Sequence, residues 1–174
     1  MNLFFKIIIV IFFFFKLTLL SATEKFVYVD MNLLINTSDA GKYITSELST
    51  LHKKKIEELK KIEENLKKGE AEIINQKNVI SKEEFDKRLL DLRKKASDYQ
   101  KQRSNSTKFL SQKRVKSTNK LLNLIQPILA SYAEENSISI IFKKQSIVIG
   151  KTDLEITRQI LDILNKKHKK IALD

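Results

Sequence analysis

The sequence predicts an α+β protein, mostly helical, with a long antiparallel coiled-coil hairpin arm on a small β-strand body that carries a C-terminal helix. Apolar residues recur at alternating three- and four-residue steps along two stretches of the region 41–136, which is typical of a coiled-coil seam. A helix-start signal separates the two stretches, so the limbs must fold back on each other. Short β-branched runs occur only outside this region.

Residues 1–22 are typical of a secretory signal peptide. A start containing Lys6 precedes the apolar run Ile7–Phe15, and Leu20–Ala22 is a small-residue cleavage site. The alternative is an uncleaved anchor from Leu3 to Leu20, but Lys16 interrupts that run, which barely reaches the span of a bilayer. The leader therefore predicts export with cleavage near Ala22.

The body is expected to combine the segments 23–40 and 137–174. Phe26–Met31 is a β-branched and aromatic run, which indicates a strand, and Asn32–Ala40 is read as a short helix followed by a turn at Gly41. Neither segment is large enough to bury a sound core alone. Oligomerisation is expected to supply the missing core.

The first limb of the arm, expected from Lys42 to about Asn78, has a well-spaced apolar seam. Gly69 falls at a seam position, where it should weaken or bend the helix by up to about 1 kcal/mol relative to alanine. The seam consists of Leu59, Ile62, Leu66, Ile73 and Ile80.

The second limb is expected to begin at Lys82 and to end at about Glu135. Ser81 and Glu84 form a capping box, while Ile80 and Phe85 form the hydrophobic staple that accompanies it. Pro127 lies within this limb and predicts a kink. The seam continues at Phe85, Leu89, Leu92, Ala96 and Tyr99.

The middle of the arm is strongly basic. The chain carries a formal charge of +12, and the stretch Gln100–Lys120 has no acidic residue and has lost most of its apolar seam, so this section should be loosely packed and flexible. Two interpretations stay open: a solvated surface that reflects a lysine-rich composition, or a surface selected for electrostatic binding. The predicted basic patch consists of Lys53, Lys54, Lys55, Lys101, Arg103 and Lys108.

Nucleic acid is an unlikely partner for this patch. The export signal argues against it, and no aromatic residues that bases would stack on are interleaved with the lysines.

A few apolar residues stand beside the seam. Ile74, Leu90 and Phe109 each adjoin a seam residue. They indicate either a seam somewhat wider than two positions per heptad or an apolar surface available to a partner that exposes hydrophobic segments.

The C-terminal segment is expected to contain two strands and a helix. Ile138–Phe142 and Ile147–Ile149 are read as a hairpin, and Thr152–Glu155 is read as a second capping box. The helix that follows is amphipathic and ends near the cluster Lys166–Lys170. Its apolar face comprises Ile156, Ile160, Ile163 and Leu164.

No catalytic constellation is found, so the chain is not expected to be an enzyme. His52 and His168 lie on lysine-rich surfaces without a partner at metal-ligand spacing, and the three glycines are isolated rather than gathered in a phosphate-binding loop. The chain has no cysteine. No metal or cofactor is expected.

The order of these elements matches a known family, and the match is carried by Val27–Met31, Ile125–Ile128, Tyr132–Ala133, Ile138–Phe142, Ile156–Thr157 and Leu164–Lys166. In these segments and in its order of elements the chain resembles the Skp/OmpH-type periplasmic chaperones. Lys143 and Lys144 depart from that family, which often has an acidic residue after this strand.

The resemblance implies a homotrimer whose three arms surround a cavity. In that cavity an ATP-independent holdase of the periplasm would bind unfolded outer-membrane β-barrel proteins. The basic arm suits acidic clients or an anionic lipid surface, and Ile74, Leu90 and Phe109 become candidate client contacts. The rival hypothesis is an exported coiled-coil structural or adaptor protein of the cell envelope. The trimer body would include Phe26, Tyr28, Ile140, Phe142 and Val148.

Overall fold

A computed structural model of the chain describes residues 24–173, so the predicted signal peptide lies outside the described residues. Short 3₁₀ turns occupy Lys144–Ser146 and Thr152–Leu154. The helices and strands, in chain order, are β1 (Lys25–Val29), α1 (Met31–Thr37), α2 (Asp39–Gln76), α3 (Lys82–Glu135), β2 (Ile138–Lys143) and α4 (Thr157–Lys167). This arrangement confirms the predicted fold class.

Helices α2 and α3 form the antiparallel arm. Tyr99 Oη donates to a carboxylate oxygen of Glu63 at 3.3 Å, and Arg88 donates to Gln76 nearer the tip. The ten predicted seam residues are all buried or half-buried, as the alternating spacing requires. The helix passes through Gly69 without interruption.

The helix starts agree with the prediction in part. Ser81 Oγ accepts from the backbone N–H of Glu84 at 3.2 Å, but the Glu84 carboxylate binds Arg88 Nε at 2.7 Å and not the Ser81 amide. The expected turn at Gly41 is wrong. Ser38 caps α2 by accepting from Gly41 N–H, so the helix begins at Asp39 and Gly41 lies in its first turn.

Strands β1 and β2 pair in parallel as a two-stranded sheet, with Phe26 beside Ile140 and Tyr28 beside Phe142. The entire arm is the crossover connection between them, since parallel strands cannot be joined by a tight turn. The side chains of Val27 and Val29 point into the core. The opposite face therefore carries Phe26, Ile140 and Phe142.

The expected hairpin between Ile138–Phe142 and Ile147–Ile149 is wrong. Only the first of these forms a strand, and the 3₁₀ turn at Lys144–Ser146 then carries the chain away from it. The partner of β2 is β1, which comes from the far end of the arm. Val148 and Ile149 consequently stand in a loop and face outward.

The expected capping box at Thr152–Glu155 is also wrong. Glu155 is held in an extended conformation beside Tyr28, and the N–H of Ile156 donates to the Tyr28 carbonyl at 3.0 Å. Because of this backbone pairing, α4 begins only at Thr157, and it has no side-chain cap.

The core lies where the root of the arm meets the body, meaning β1, α1, β2 and α4. Ile44 and Leu48 of α2 and Leu121 and Ile125 of α3 are buried together with Ile160 and Leu164 of α4. Both ends of the predicted arm contribute to this core. The predicted boundaries between arm and body at residues 41 and 136 stay predictions. Within residues 24–173 every buried side-chain nitrogen or oxygen has a hydrogen-bond partner.

Candidate functional site

The body presents an open apolar sheet face. We use the name "open face" for Phe26, Ile140 and Phe142, whose exposed fractions are 41%, 46% and 41%. The rings of Phe26 and Phe142 contact each other at a centroid distance of 6.4 Å. A contiguous exposed apolar cluster is a candidate contact surface for a partner.

An exposed apolar loop lies beyond the end of β2. Val148 and Ile149 are almost fully exposed, so two more large apolar side chains lack cover. The sequence predicts a strand over both residues and a body contact for Val148 alone. Their exposure in a loop was therefore not predicted.

Tyr28 is placed differently from the other predicted body residues. Its ring is buried under the loop at Gly150, where an added Cβ would come within 3.0 Å of Tyr28 Cε1, and its hydroxyl donates to the Lys151 carbonyl at 3.2 Å. The chain itself therefore covers Tyr28. Of the predicted body residues, Phe26, Ile140, Phe142 and Val148 are the ones available to a partner.

A polar network holds the loop that borders the open face. Lys144 Nζ donates to both carboxylate oxygens of Glu155 at 2.9 and 3.0 Å. The hydrogen bond to Glu155 raises the pKa of the Lys144 ammonium above its ordinary value. Thr157 Oγ1 donates to the same carboxylate and accepts from the N–H of Asp30. Lys144, one of the two lysines that depart from the resemblance, thus has an acidic partner in this chain.

Clefts open between α2 and α3 both where the seam fails and where it is intact, since one of about 300 Å³ is lined by the seam residues Leu66, Leu89, Leu92 and Ala96. A cleft of about 320 Å³ and a second of about 460 Å³ open between α2 and α3 in the half nearer the body. Leu59 and Phe109 line the first, while Leu48, His52 and Leu110 line the second. The polar side chain of Ser106, which lines the first cleft, stands where a larger apolar residue would fill a regular seam.

The three candidate client contacts lie at different heights of the arm. Ile74 and Leu90 sit towards the tip and are 64% and 69% exposed. Phe109 lies nearer the body at the edge of the first cleft, is 39% exposed, and has Lys113 Nζ at 5.4 Å from its ring centroid. They do not form a single pocket, and each is accessible from solvent.

Exposed apolar residues on the arm include several that the sequence reading did not single out. Ile56, Val79 and Val115 are at least half exposed. Val79 occupies the turn at the tip, and Ile56 lies in the part of the first limb that departs from the three-four spacing. A search for apolar residues outside the seam positions would have found them.

Five of the six predicted basic-patch residues are exposed and Lys55 is half-buried, and two members have acidic neighbours. Lys55 Nζ lies 2.7 Å from Glu58, and Lys101 Nζ lies 3.5 Å from Asp98. The hydrogen bond from Lys55 lowers the pKa of the Glu58 carboxyl below its ordinary value. Lys53, Lys54, Arg103 and Lys108 all lie on exposed helix surface.

The two histidines lie in different parts of the structure, one on the arm and one after α4. His52 lines a cleft of the arm and His168 ends α4, and across the described residues no group of His, Cys, Asp or Glu could hold an ion. Nor is any helix in that part of the chain long and apolar enough to cross a membrane.

These features define a class: a helical-hairpin arm on a small parallel-sheet body, with apolar side chains accessible on both. The model of the OmpH-like outer membrane protein family matches residues 25–164, and the chain belongs to this family. The OmpH-like proteins are a chaperone family rather than an enzyme family, which supports a chaperone role and is consistent with a non-enzymatic protein.

Two relatives illustrate the membership. A Skp-like protein of Chlamydia pneumoniae is 26% identical over 148 residues, which cover 82% of this chain and 85% of the relative. A crystal structure of an OmpH-like protein from Caulobacter crescentus CB15, assigned there as a candidate outer membrane chaperone, superposes with a TM-score of 0.83. The match covers 87% of this chain and 89% of that one at 14% identity, so it supports the fold alone.

Proposed function

We propose that the protein is an ATP-independent holdase of the periplasm that binds unfolded outer-membrane β-barrel proteins and prevents their aggregation. The observation that carries this proposal is the arm itself, a hairpin that leaves Ile74, Leu90 and Phe109 exposed on a strongly basic surface. Such a surface can contact apolar segments of an unfolded chain and attract its acidic residues.

The open face is the proposed contact between three copies of the chain. Phe26, Ile140 and Phe142 lie on the body, away from the tip, so closure through this face would leave the arms projecting around a common space. Burying these side chains would complete the small core of the body. A single hairpin has no cavity of its own in which to hold a client.

The proposed mechanism is retention by many weak contacts. Each exposed apolar side chain or lysine contributes about 1 kcal/mol or less, and their number supplies the affinity while the client stays mobile. Release then requires only an acceptor that binds the client better. No nucleotide is part of this cycle.

The decisive experiment is light scattering of a urea-unfolded β-barrel outer-membrane protein diluted into buffer with residues 23–174 and no nucleotide. Suppression that is complete at about one client per three chains supports a trimeric holdase. Unchanged scattering from a folded, oligomeric protein would refute the holdase function. That result would favour the structural or adaptor role in the envelope.

Client capture is expected to weaken as salt rises. Between about 50 and 300 mM salt the Debye length shrinks from roughly 14 to 6 Å, so the basic arm attracts an acidic client over a shorter range. We expect the affinity measured by fluorescence anisotropy to fall by about three- to ten-fold. An unfolded client with a net positive charge serves as the control and should not lose affinity. An equal loss for both clients would contradict the electrostatic contribution.

Replacing Ile74, Leu90 and Phe109 together with serine is expected to lower client affinity by about ten-fold, since each lost apolar contact is worth up to about 1 kcal/mol. The side chains are exposed, so the oligomer seen by analytical ultracentrifugation should persist. The matched control changes three exposed polar residues, Asn75, Gln100 and Gln112, to serine. Equal affinity of both variants would remove the three apolar residues from the client surface.

A further inference from the structure

The chain continues past α4 as a segment without helix or strand that returns to the arm. We call His168–Leu173 the C-terminal strap; it lies beyond the region matched by the family, which ends at residue 164. Its Ile171 side chain is 8% exposed and belongs to the hydrophobic core, and Leu173 packs against that core. A polar tail with no structural role would not bury an isoleucine.

The strap contacts both helices of the arm near the body. Lys113 Nζ of α3 donates to the Leu173 carbonyl at 3.4 Å, and Lys120 Nζ donates to the Ala172 carbonyl at 3.5 Å. On the other helix, Lys170 Nζ stands 5.6 Å from the ring centroid of Tyr43. The strap therefore bridges α2 and α3.

The end of α4 adds a further contact with α2. Asn165 Oδ1 accepts from the backbone N–H of Asp39 at 2.8 Å, which satisfies one of the free amides in the first turn of α2. The N–H of His168 donates to the Leu164 carbonyl at 2.7 Å and fixes the point at which the strap leaves the helix. Helix and strap together hold the beginning of α2.

The segment of α3 that adjoins the strap is basic. It carries Lys113, Arg114 and Lys116 with no acidic residue among them. Mutual repulsion of these charges, beside a cleft lined by Leu110 and Arg114, favours opening of the two helices there. The strap contacts α2 and α3 at the place along the arm where such opening would begin.

We infer that the C-terminal strap is a clamp that holds the roots of α2 and α3 on the body and thereby sets the stiffness of the arm. It does so by anchoring Ile171 in the core and by giving the ammonium groups of Lys113 and Lys120 carbonyl partners. The inference concerns the mechanics of the arm and stands whether or not the protein retains unfolded clients.

Hydrogen–deuterium exchange of the mature chain tests the clamp. In Ile171→Ser we expect amides of the arm root, residues 42–52 and 110–122, to exchange about ten-fold faster than in the natural protein. Peptides of the outer arm (84–98) and of β2 should be unchanged. The control Ala172→Ser alters an exposed strap residue, keeps the backbone carbonyl, and should exchange like the natural protein.

Two results would overturn the clamp. If only the strap peptide loses protection, the strap is a passive appendage. If β2 loses protection as much as the arm root, Ile171 merely stabilises the body. Should Ile171→Ser fail to fold, Lys113→Met with Lys170→Met removes one contact of the strap with each of α3 and α2 without touching the core, while the contact of Lys120 with the Ala172 carbonyl remains. About three-fold faster exchange confined to the arm root is then expected, and natural exchange there would refute the clamp.

Discussion

Gly41→Ala is expected to lower the free energy of unfolding by at least about 3 kcal/mol, at the upper end of what overpacking costs. A Cβ built on Gly41 would lie 1.8 Å from the carbonyl oxygen of Ile35 and 2.9 Å from its carbonyl carbon. Both are backbone atoms of α1, so no side-chain rotation relieves the contact. The corner between α1 and α2, where Ser38 caps α2, would have to open. Urea unfolding followed by circular dichroism measures the loss.

Gly69→Ala is the matched control and should have the opposite sign. The Cβ added there would meet only Leu92 Cδ1, at an ordinary contact distance of 3.5 Å. Alanine in place of a glycine in a helix interior gains about 0.5–1 kcal/mol, because the unfolded chain loses less freedom on folding. A Gly41→Ala protein as stable as the natural one would show that α1 can move away from α2.

The arm could be predicted from the sequence because its signals are local. The seam from Leu59 to Tyr99 depends only on spacing, and Ser81 marks the start of the returning helix within a few residues. Because the connection is short, the two helices must then pack antiparallel. Spacing alone left open whether Ile74 and Leu90 widen the seam or lie on a free surface, and the structure exposes both side chains.

The body could not be predicted to the same depth, because its contacts join distant parts of the chain. The sequence predicts that β2 pairs with the neighbouring segment Ile147–Ile149. In the structure it pairs with β1, which is separated from it by the whole arm. The sequence predicts Glu155 as part of a capping box. In the structure its backbone pairs with Tyr28 and its carboxylate forms an ion pair with Lys144. The strap could not be predicted, because Ile171 is buried by residues far away in the sequence. Spacing along the chain carries no information about such pairs.

The open face can be tested by placing charge on it. Ile140→Asp combined with Phe142→Asp is expected to convert the proposed trimer to a monomer, because assembly would bury two carboxylates per chain in an apolar contact at a cost of several kcal/mol each. The subunit fold should survive. Both side chains point away from the core, which Val27 and Val29 fill from the other side of the sheet. Sedimentation velocity gives the mass, and circular dichroism verifies the helix content.

The matched control adds the same charge beside the open face and not on it. Gln145→Asp with Ser146→Asp alters two exposed residues of the 3₁₀ turn, so the net charge changes equally while the apolar face stays intact. This control should remain oligomeric. Dissociation of both variants would mean that net charge alone, and not the open face, controls assembly.

The same pair of proteins separates assembly from client retention. If the arms act around a shared cavity, the monomeric Ile140→Asp/Phe142→Asp protein should lose the suppression of aggregation even though Ile74, Leu90 and Phe109 are untouched. The reason is that avidity depends on several arms contacting one client at once, and separate arms with weak contacts lose most of that affinity. A monomer that still suppresses aggregation would place the whole activity on a single hairpin. A variant that stays trimeric would move the subunit contact to the loop of Val148 and Ile149, whose apolar side chains are the most exposed ones on the body.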